Sequence, residues 1–358
     1  MNIKKNGNSK KLFLTVSVIL SGILLIAKRT AVADEILKGL SVCGEIIIPS
    51  LFPFMTLSSF AVKSGICDTL TGITSPVMQK FFRLPGNCFS PVFFGFIGGY
   101  PTGAMNISEL YENKKISRTD AKHMLSFCVN AGPAFIVTAA GEMTLGSPAA
   151  GIVMLVSVCI ASLFTGIAFS LLKKNSQTGN TDSCATVELS SSLVESAYSS
   201  SKGIISVCTW ILLFSAFSGI VRSFIKNKTL LLVFGAFSEI TTGISAASEL
   251  GGIPLVSAAI SFGGICVMMQ LLPIIKKCDI KVHEYLEFRI LNSVLSFITA
   301  KIILLFVNIP VSAVADTQSK LWSRTAPASV MLIIMGCILI ADIVSGRSGK
   351  ISFSDITG

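Results

Sequence analysis

A carboxylate embedded in apolar sequence is the first group in this chain that could do chemistry. Glu239 lies within Phe234-Gly-Ala-Phe-Ser-Glu-Ile-Thr-Thr-Gly243, with Thr241 and Thr242 close behind it. At membrane depth a carboxyl group costs about 2.5–3.5 kcal/mol on insertion scales, so it marks a functional site by default. It could take a proton, coordinate a coupling cation or accept hydrogen bonds from a solute. The plainer alternative is a shallow segment in which Glu239 is solvated.

A second kind of chemistry comes from backbone. Gly95-Phe-Ile-Gly-Gly-Tyr-Pro-Thr-Gly-Ala104 cannot form a straight helix, because Pro101 lacks an amide hydrogen and Gly98, Gly99 and Gly103 weaken helical structure. The groups freed around Tyr100 and Thr102 must find partners, and in a membrane that is tolerated only inside protein or beside a water-filled cavity. Broken helix ends in such places bind anions or coordinate cations. The competing reading is a kink packed on a neighbour through small residues. Asn130, Gly132 and Pro133 form a further break inside Phe127-Cys-Val-Asn-Ala-Gly-Pro-Ala-Phe135, where the Asn130 amide could meet solute or simply bond a neighbouring helix. Ser261, Gly263, Gly264 and Gln270 supply the matching break in the second half. Lys301, inside an apolar run, is placed to balance Glu239 or a solute carboxylate, whereas Glu45 and Asp342 read as nearer an interface.

Other chemistries find no footing. The sequence contains no GxSxG, HExxH or P-loop pattern, and His123 and His283 stand alone, so no enzyme is expected. The ten cysteines are scattered, without a CxxC pair, and read as small buried hydrophobes, not as zinc ligands or disulfides. No resident cofactor or metal is expected; a coupling ion, sodium or a proton, fits the pattern. The expected partners are a small anionic solute and the lipid bilayer, with a homo-oligomer left open and nucleic acid excluded by the lack of an aromatic-interleaved basic patch.

The elements that must position these residues are helices in a membrane. Among 358 residues, 51% are hydrophobic and only 13% charged, and the mean hydropathy is +0.75, outside the range of soluble domains. Since each crossing needs about 20 apolar residues, the spans fall at 12–28, 39–62, 123–142, 148–172, 203–221, 253–275, 287–309 and 327–345. The broken segments 88–105 and 229–249 read as re-entrant hairpins. This choice puts the basic N-terminus, Lys114 to Lys122, Lys173-Lys174, the Lys276 to Arg289 loop and Arg347 with Lys350 on the cytoplasmic side, as the positive-inside rule demands. Both termini are then cytoplasmic, and Arg222-Lys226-Lys228 is the exception, left outside next to the second hairpin. The hairpins enter from opposite faces, which makes the topology an inverted repeat.

The predicted fold is therefore all-α, a polytopic inverted-repeat bundle with about eight transmembrane helices and two hairpins. Its parts are an N-terminal helix and loop (1–38), a first repeat (39–172), a polar cytoplasmic linker (173–202), a second repeat (203–309) and a final helix with tail (310–358). The first span resembles a signal peptide's charged and apolar regions, but it ends in Lys28-Arg29 and is read as uncleaved. Segment 63–87 reads as an amphipathic stretch at the cytoplasmic interface, and 189–201 as a short interfacial helix.

Ile48-Pro-Ser-Leu-Phe-Pro-Phe54, Gly98-Gly-Tyr-Pro-Thr-Gly-Ala104 and Asn130-Ala-Gly-Pro133 resemble the YlbJ-like sporulation integral membrane proteins, also called SpoVV, which carry the nucleoside-recognition Gate domain. The resemblance runs from about Leu40 to the last span. It implies an endospore-former, a role late in sporulation at the outer forespore membrane, and movement of dipicolinic acid towards the forespore. Wider Gate relatives include concentrative nucleoside transporters, whose inverted repeats contain hairpins. The Asn-Glu-Phe-Val-Ala type motif of those transporters is missing, which separates this chain from their way of reading ribose and base.

Overall fold

In the computed structural model, residues 3–172 and 189–309 are described, and every regular element among them is helical. The expected final span at 327–345, with Asp342, and the first part of the polar linker lie outside the described residues.

The apolar run after the basic N-terminus forms α1 (Ile3–Ala27), which passes directly into α2 (Arg29–Val42). A π-helical turn, Cys43–Ile47, joins α2 to α3 (Ile48–Lys63), so that Arg29–Lys63 is one long apolar stretch. Pro49 follows the π-helical turn directly and Pro53 lies inside α3, and each lacks the amide hydrogen that a continuous helical ladder would use. Segment 63–87 contains α4 (Ile66–Val77), followed by a short π-helical run.

The first hairpin consists of α5 (Phe89–Gly98) and α6 (Tyr100–Glu112). Gly99 joins them at φ 88°, in the positive-φ region that glycine alone enters freely. The arms pack through glycine: a Cβ on Gly103 would lie 2.9 Å from the Gly95 Cα, and one on Gly95 would strike the Cys128 carbonyl oxygen. Next comes a helix in two pieces, α7 (Arg118–Phe127) and a π-helical segment (Phe135–Thr144), separated by the stretch that contains Asn130, Gly132 and Pro133. A capping box at Ser117 and Asp120 starts α7. α8 (Pro148–Leu172) completes the series.

The same order recurs. α9 (Leu189–Phe224) is followed by a second hairpin, α10 (Lys228–Ser238) and the first part of α11 (Ile240–Phe262), with Glu239 extended between them. Gly252, at φ 62° and ψ −152°, separates the hairpin arm from the rest of α11. The break at Gly263 then leads to α12 (Gly264–Lys277), and α13 (Val282–Leu304) closes the set. Across the second hairpin, a Cβ on Gly235 would meet Thr242 O at 3.3 Å and one on Gly243 would meet Ala236 O at 3.3 Å.

Several boundaries differ from the sequence expectation. The 189–201 stretch is continuous with the span after it, giving α9 36 residues, about 54 Å at ~1.5 Å per residue, well beyond the ~30 Å apolar layer. Its serine-rich start hid a helical register that packing settles. α13 begins at Val282, so Arg289 lies two turns inside a helix and not in the basic loop to which charge counting assigned it. Among the described residues, four helical stretches, Arg29–Lys63, Pro148–Leu172, Leu189–Phe224 and Ile240–Lys277, are long and apolar enough to cross a membrane.

Packing also crosses the halves. α9 lies along α2 and α3, whereas α13 packs on α8 and α11 and carries the polar contacts between them. Ser293 Oγ donates to Ala258 O, Ser296 Oγ to Ser257 O, and Thr299 Oγ1 to Ser157 O. Because the Gly95 contact is backbone against backbone, Gly95→Ala is expected to destabilise the protein by about 1–3 kcal/mol. A lowered thermal unfolding midpoint of the purified protein in detergent checks this.

Candidate functional site

The two hairpin tips meet the two helix breaks. A Cβ on Gly99 would lie 3.3 Å from Gly132 N, and one on Gly264 would lie 3.2 Å from Glu239 N. Each tip therefore rests against the broken helix of its own half, so that Gly99 and Glu239 hold matching places. Only glycine fits at Gly99, both for its positive φ and because the Leu51 side chain would lie 3.0 Å from an added Cβ.

At the first tip, Thr102 Oγ1 donates to Gly98 O at 3.0 Å and Thr102 N to Gly99 O at 3.2 Å, closing the turn, while no side chain caps α6. At the second tip the cap is built in. Glu239 Oε2 accepts from Thr241 N at 3.0 Å, Thr242 N at 3.1 Å and Thr241 Oγ1. Glu239 is 5% exposed, and its other oxygen, Oε1, has no hydrogen-bond partner among the described residues.

Between the tips lies a pocket of about 40 Å³, lined by Leu51, Gly99, Tyr100, Gly132, Glu239 and Gln270 among others. It shares Pro101, Val207 and Gln270 with a wider cavity of about 840 Å³ whose rim carries Lys63, Glu112, Glu195, Lys202 and Lys277. The rim charges are partly paired: Lys277 with Glu112 at 2.9 Å and Lys63 with Glu195 at 3.4 Å.

Arg289 holds the assembly from behind. Its Nη1 donates to Val129 O in the first break, its Nε donates to Phe262 O at 3.3 Å in the second, and its guanidinium sits 5.2 Å from the centre of the Tyr100 ring. The side chain is 2% exposed, and Nη2 has no partner among the described residues. The Tyr100 hydroxyl in turn donates to Ile260 O, joining the first hairpin to the second broken helix. Phe262 is the last residue of α11 and Val129 lies two residues past the end of α7, so both carbonyls are near the C-terminal end of a half-helix, where a cation is favoured by the helix dipole.

Of the expected site residues, Gly99, Tyr100, Pro101 and Glu239 line the pocket. Gly98, Thr102 and Gly103 shape the first tip, Thr241 and Thr242 hold the Glu239 carboxylate, and Gly264 lets the second tip approach its break. Ser261 is buried in the second break with its hydroxyl unpartnered among the described residues. Asn130 is not in the pocket. Its amide donates to Phe127 O at 2.8 Å and its carbonyl accepts from Ser162 Oγ at 2.7 Å, so it caps the end of α7 and pins it to α8. Lys301 is absent from the pocket as well: it lies exposed in the last turn of α13, 4.9 Å from the Phe297 ring centre. Lys228, in the misfit basic cluster, pairs with Glu249 at 2.7 Å across the second hairpin, and Arg222 lies 3.9 Å from Glu35.

Hairpins and discontinuous helices around a small, mainly apolar pocket that holds one buried carboxylate, in a chain this rich in apolar helix, define an all-α integral membrane protein. Residues 46–174 match the family described as Gate: Nucleoside recognition. The chain is 26% identical over 327 residues, covering 79% of itself and 78% of the relative, to Sporulation integral membrane protein YlbJ of Bacillus subtilis (strain 168). The chain is thus similar to that relative over most of its length, and to the Gate family over residues 46–174. No solved structure matches it.

Replacing Arg289 by Met strands two buried carbonyls, and each hydrogen bond to a charged group contributes about 1.5–3 kcal/mol. Arg289→Met is therefore expected to lower the unfolding midpoint in detergent far more than Lys301→Met, which as a surface change should stay within about 0.5 kcal/mol.

Proposed function

We propose that this protein is a membrane transporter of a small organic anion, dipicolinic acid during endospore formation, working by alternating access around the pocket between the hairpin tips. The observation that carries the reading is the pocket itself, where the bare N-terminus of α6 at Gly99 faces Glu239 across a space continuous in its lining with the wide cavity. The positive pole of a half-helix favours a carboxylate. Discontinuous helices and paired hairpins are the recurring means of building such a site at membrane depth.

The wide cavity supplies the route from the side on which Lys115, Lys202 and Lys277 cluster, which the positive-inside rule makes cytoplasmic. Both termini fall on that side in this reading. Access to the opposite face requires the hairpins and broken helices, tied together by Arg289 and α13, to move against α2, α3 and α9. The sporulation setting comes from the resemblance and from the name of the relative, and the outer forespore membrane from the resemblance alone.

The description of the Gate family, nucleoside recognition, favours a second reading in which the solute is a nucleoside. Uptake by purified protein in liposomes separates the two. We expect dipicolinate to accumulate, nucleosides to compete poorly, and Gly99→Ala and Glu239→Ala each to reduce uptake by about tenfold or more, a loss of at least ~1.4 kcal/mol. Lys301→Met should transport normally. Nucleoside uptake indifferent to dipicolinate would favour the second reading, and full activity in both pocket variants would overturn the site.

A further inference from the structure

The space between the hairpin tips and the wide cavity share three lining residues, Pro101 of α6, Val207 of α9 and Gln270 of α12. Of these, only Gln270 has a polar side chain. The throat they form lies on the seam that alternating access must open: Pro101 and Gln270 belong to the hairpins and broken helices, Val207 to the helix packed along α2 and α3. At about 40 Å³ the inner space holds a few water molecules and no organic acid. A solute therefore reaches the tips only as the seam parts, and the throat is the first narrow place it meets.

An anion sheds water there, and burying it without replacement hydrogen bonds is costly. Lys202 of α9, Glu109 of α6 and Lys277 of α12 stand on the cavity side, and Glu239, Tyr100 and Cys266 are the titratable groups of the inner lining. Lys277 is two turns from Gln270, about 10 Å along α12 at ~1.5 Å per residue, too far to follow a carboxylate inward. The polar side chains of the inner lining are mostly committed. Ser50 Oγ donates to Ile46 O at 2.5 Å, the Tyr100 hydroxyl donates to Ile260 O, and Glu239, when ionised, has no proton to give. Gln270 is different. Its one hydrogen bond among the described residues runs from Nε2 to Cys266 Sγ at 3.4 Å on its own helix. Sulfur is a weak acceptor, so that bond yields readily to a stronger one, and Nε2 carries a second N–H. Charge-assisted hydrogen bonds to a carboxylate are roughly twice as strong as neutral ones.

Resting on the transport reading, we infer that Gln270 receives the leading carboxylate of the solute and carries it through the throat. Nε2 turns from Cys266 to a carboxylate oxygen as the anion leaves the lysines of the wide cavity, and keeps that bond while Val207 draws away. A neutral amide suits this place: it replaces lost water without fixing the anion as a lysine would, and without repelling it as a carboxylate would. The solute class this favours is a small carboxylate that enters acid group first.

Dipicolinate uptake by the purified full chain in liposomes tests this with two substitutions. Gln270→Leu keeps the bulk and removes the donor. A bond made at the barrier and not in the resting complex changes turnover and leaves half-saturation in place. Maximal uptake should therefore fall by about tenfold or more, the effect of losing one hydrogen bond to a charged group, with the half-saturating concentration changed by less than about threefold. Gln270→Glu is nearly the same shape. Its introduced carboxyl group repels the solute when ionised and donates an O–H when protonated, so uptake relative to wild type at the same pH should be lowest at alkaline pH and recover as the pH falls. A structural role alone would give Gln270→Glu a profile parallel to wild type, and that result overturns the inference. Wild-type maximal uptake by folded Gln270→Leu overturns it as well, while leaving the transport reading standing. If one variant does not fold, as judged by its unfolding transition in detergent, the other decides. Absence of dipicolinate uptake by folded wild type overturns the transport reading, and the inference with it.

Discussion

A single buried guanidinium holds two broken helices in register. Arg289 sits on α13 at 2% exposure and donates to Val129 O and Phe262 O, one carbonyl from each break. Burying a charge costs several kcal/mol even after relaxation. Here the return comes from carbonyls at two half-helix C-termini, whose dipoles both point their negative ends at the cation. The arrangement also explains how the breaks can exist at all, since carbonyls freed in apolar surroundings must be satisfied from within the protein.

The pocket follows from that constraint. With the breaks fixed, Gly132 receives the first hairpin tip through a contact that a methyl group on Gly99 would crowd, and Gly264 receives the second through one that a methyl group of its own would crowd. Tyr100 lies over the guanidinium and reaches Ile260 O, so the first tip is anchored to the second broken helix and the two halves of the site share one frame. Asn292 extends the same pattern one turn on, donating to Ser126 O and accepting from Thr165 Oγ1, both at 2.7 Å. α13 thus acts as a polar spine through an otherwise apolar bundle. The surfaces of α9, α3 and the π-helical turn before α3 that face the pocket carry mainly aliphatic side chains, among them Ile47, Leu51, Val207 and Ile211.

The breaks were legible in the sequence because glycine and proline at Gly98 to Gly103 and Gly132-Pro133 forbid a continuous helix by covalent geometry alone. Glu239 was legible because a carboxylate in apolar sequence demands an explanation. What those residues touch was not. Asn130 looked like a solute ligand, yet an amide three residues past a helix end is equally suited to capping it, and Ser162 comes from a helix remote in sequence. Lys301 looked buried because the span was placed too far along; with α13 ending at Leu304 it falls in the last turn. Arg289 was counted among loop charges for the same reason. One signal for it was present: it falls on the same helical face as Asn292 and Ser296, three and seven residues on, a polar stripe that makes sense only if that face meets polar backbone.

The account makes the pocket and the Arg289 tie parts of one device: the guanidinium fixes the breaks, the breaks seat the tips, and the tips make the site. A structure of the protein bound to dipicolinate tests this most directly. It should show the ligand between the hairpin tips, at Gly99 and Glu239, with Arg289 still on both carbonyls. Ligand density away from the tips, or an Arg289 that leaves Val129 and Phe262 when the ligand binds, would contradict it.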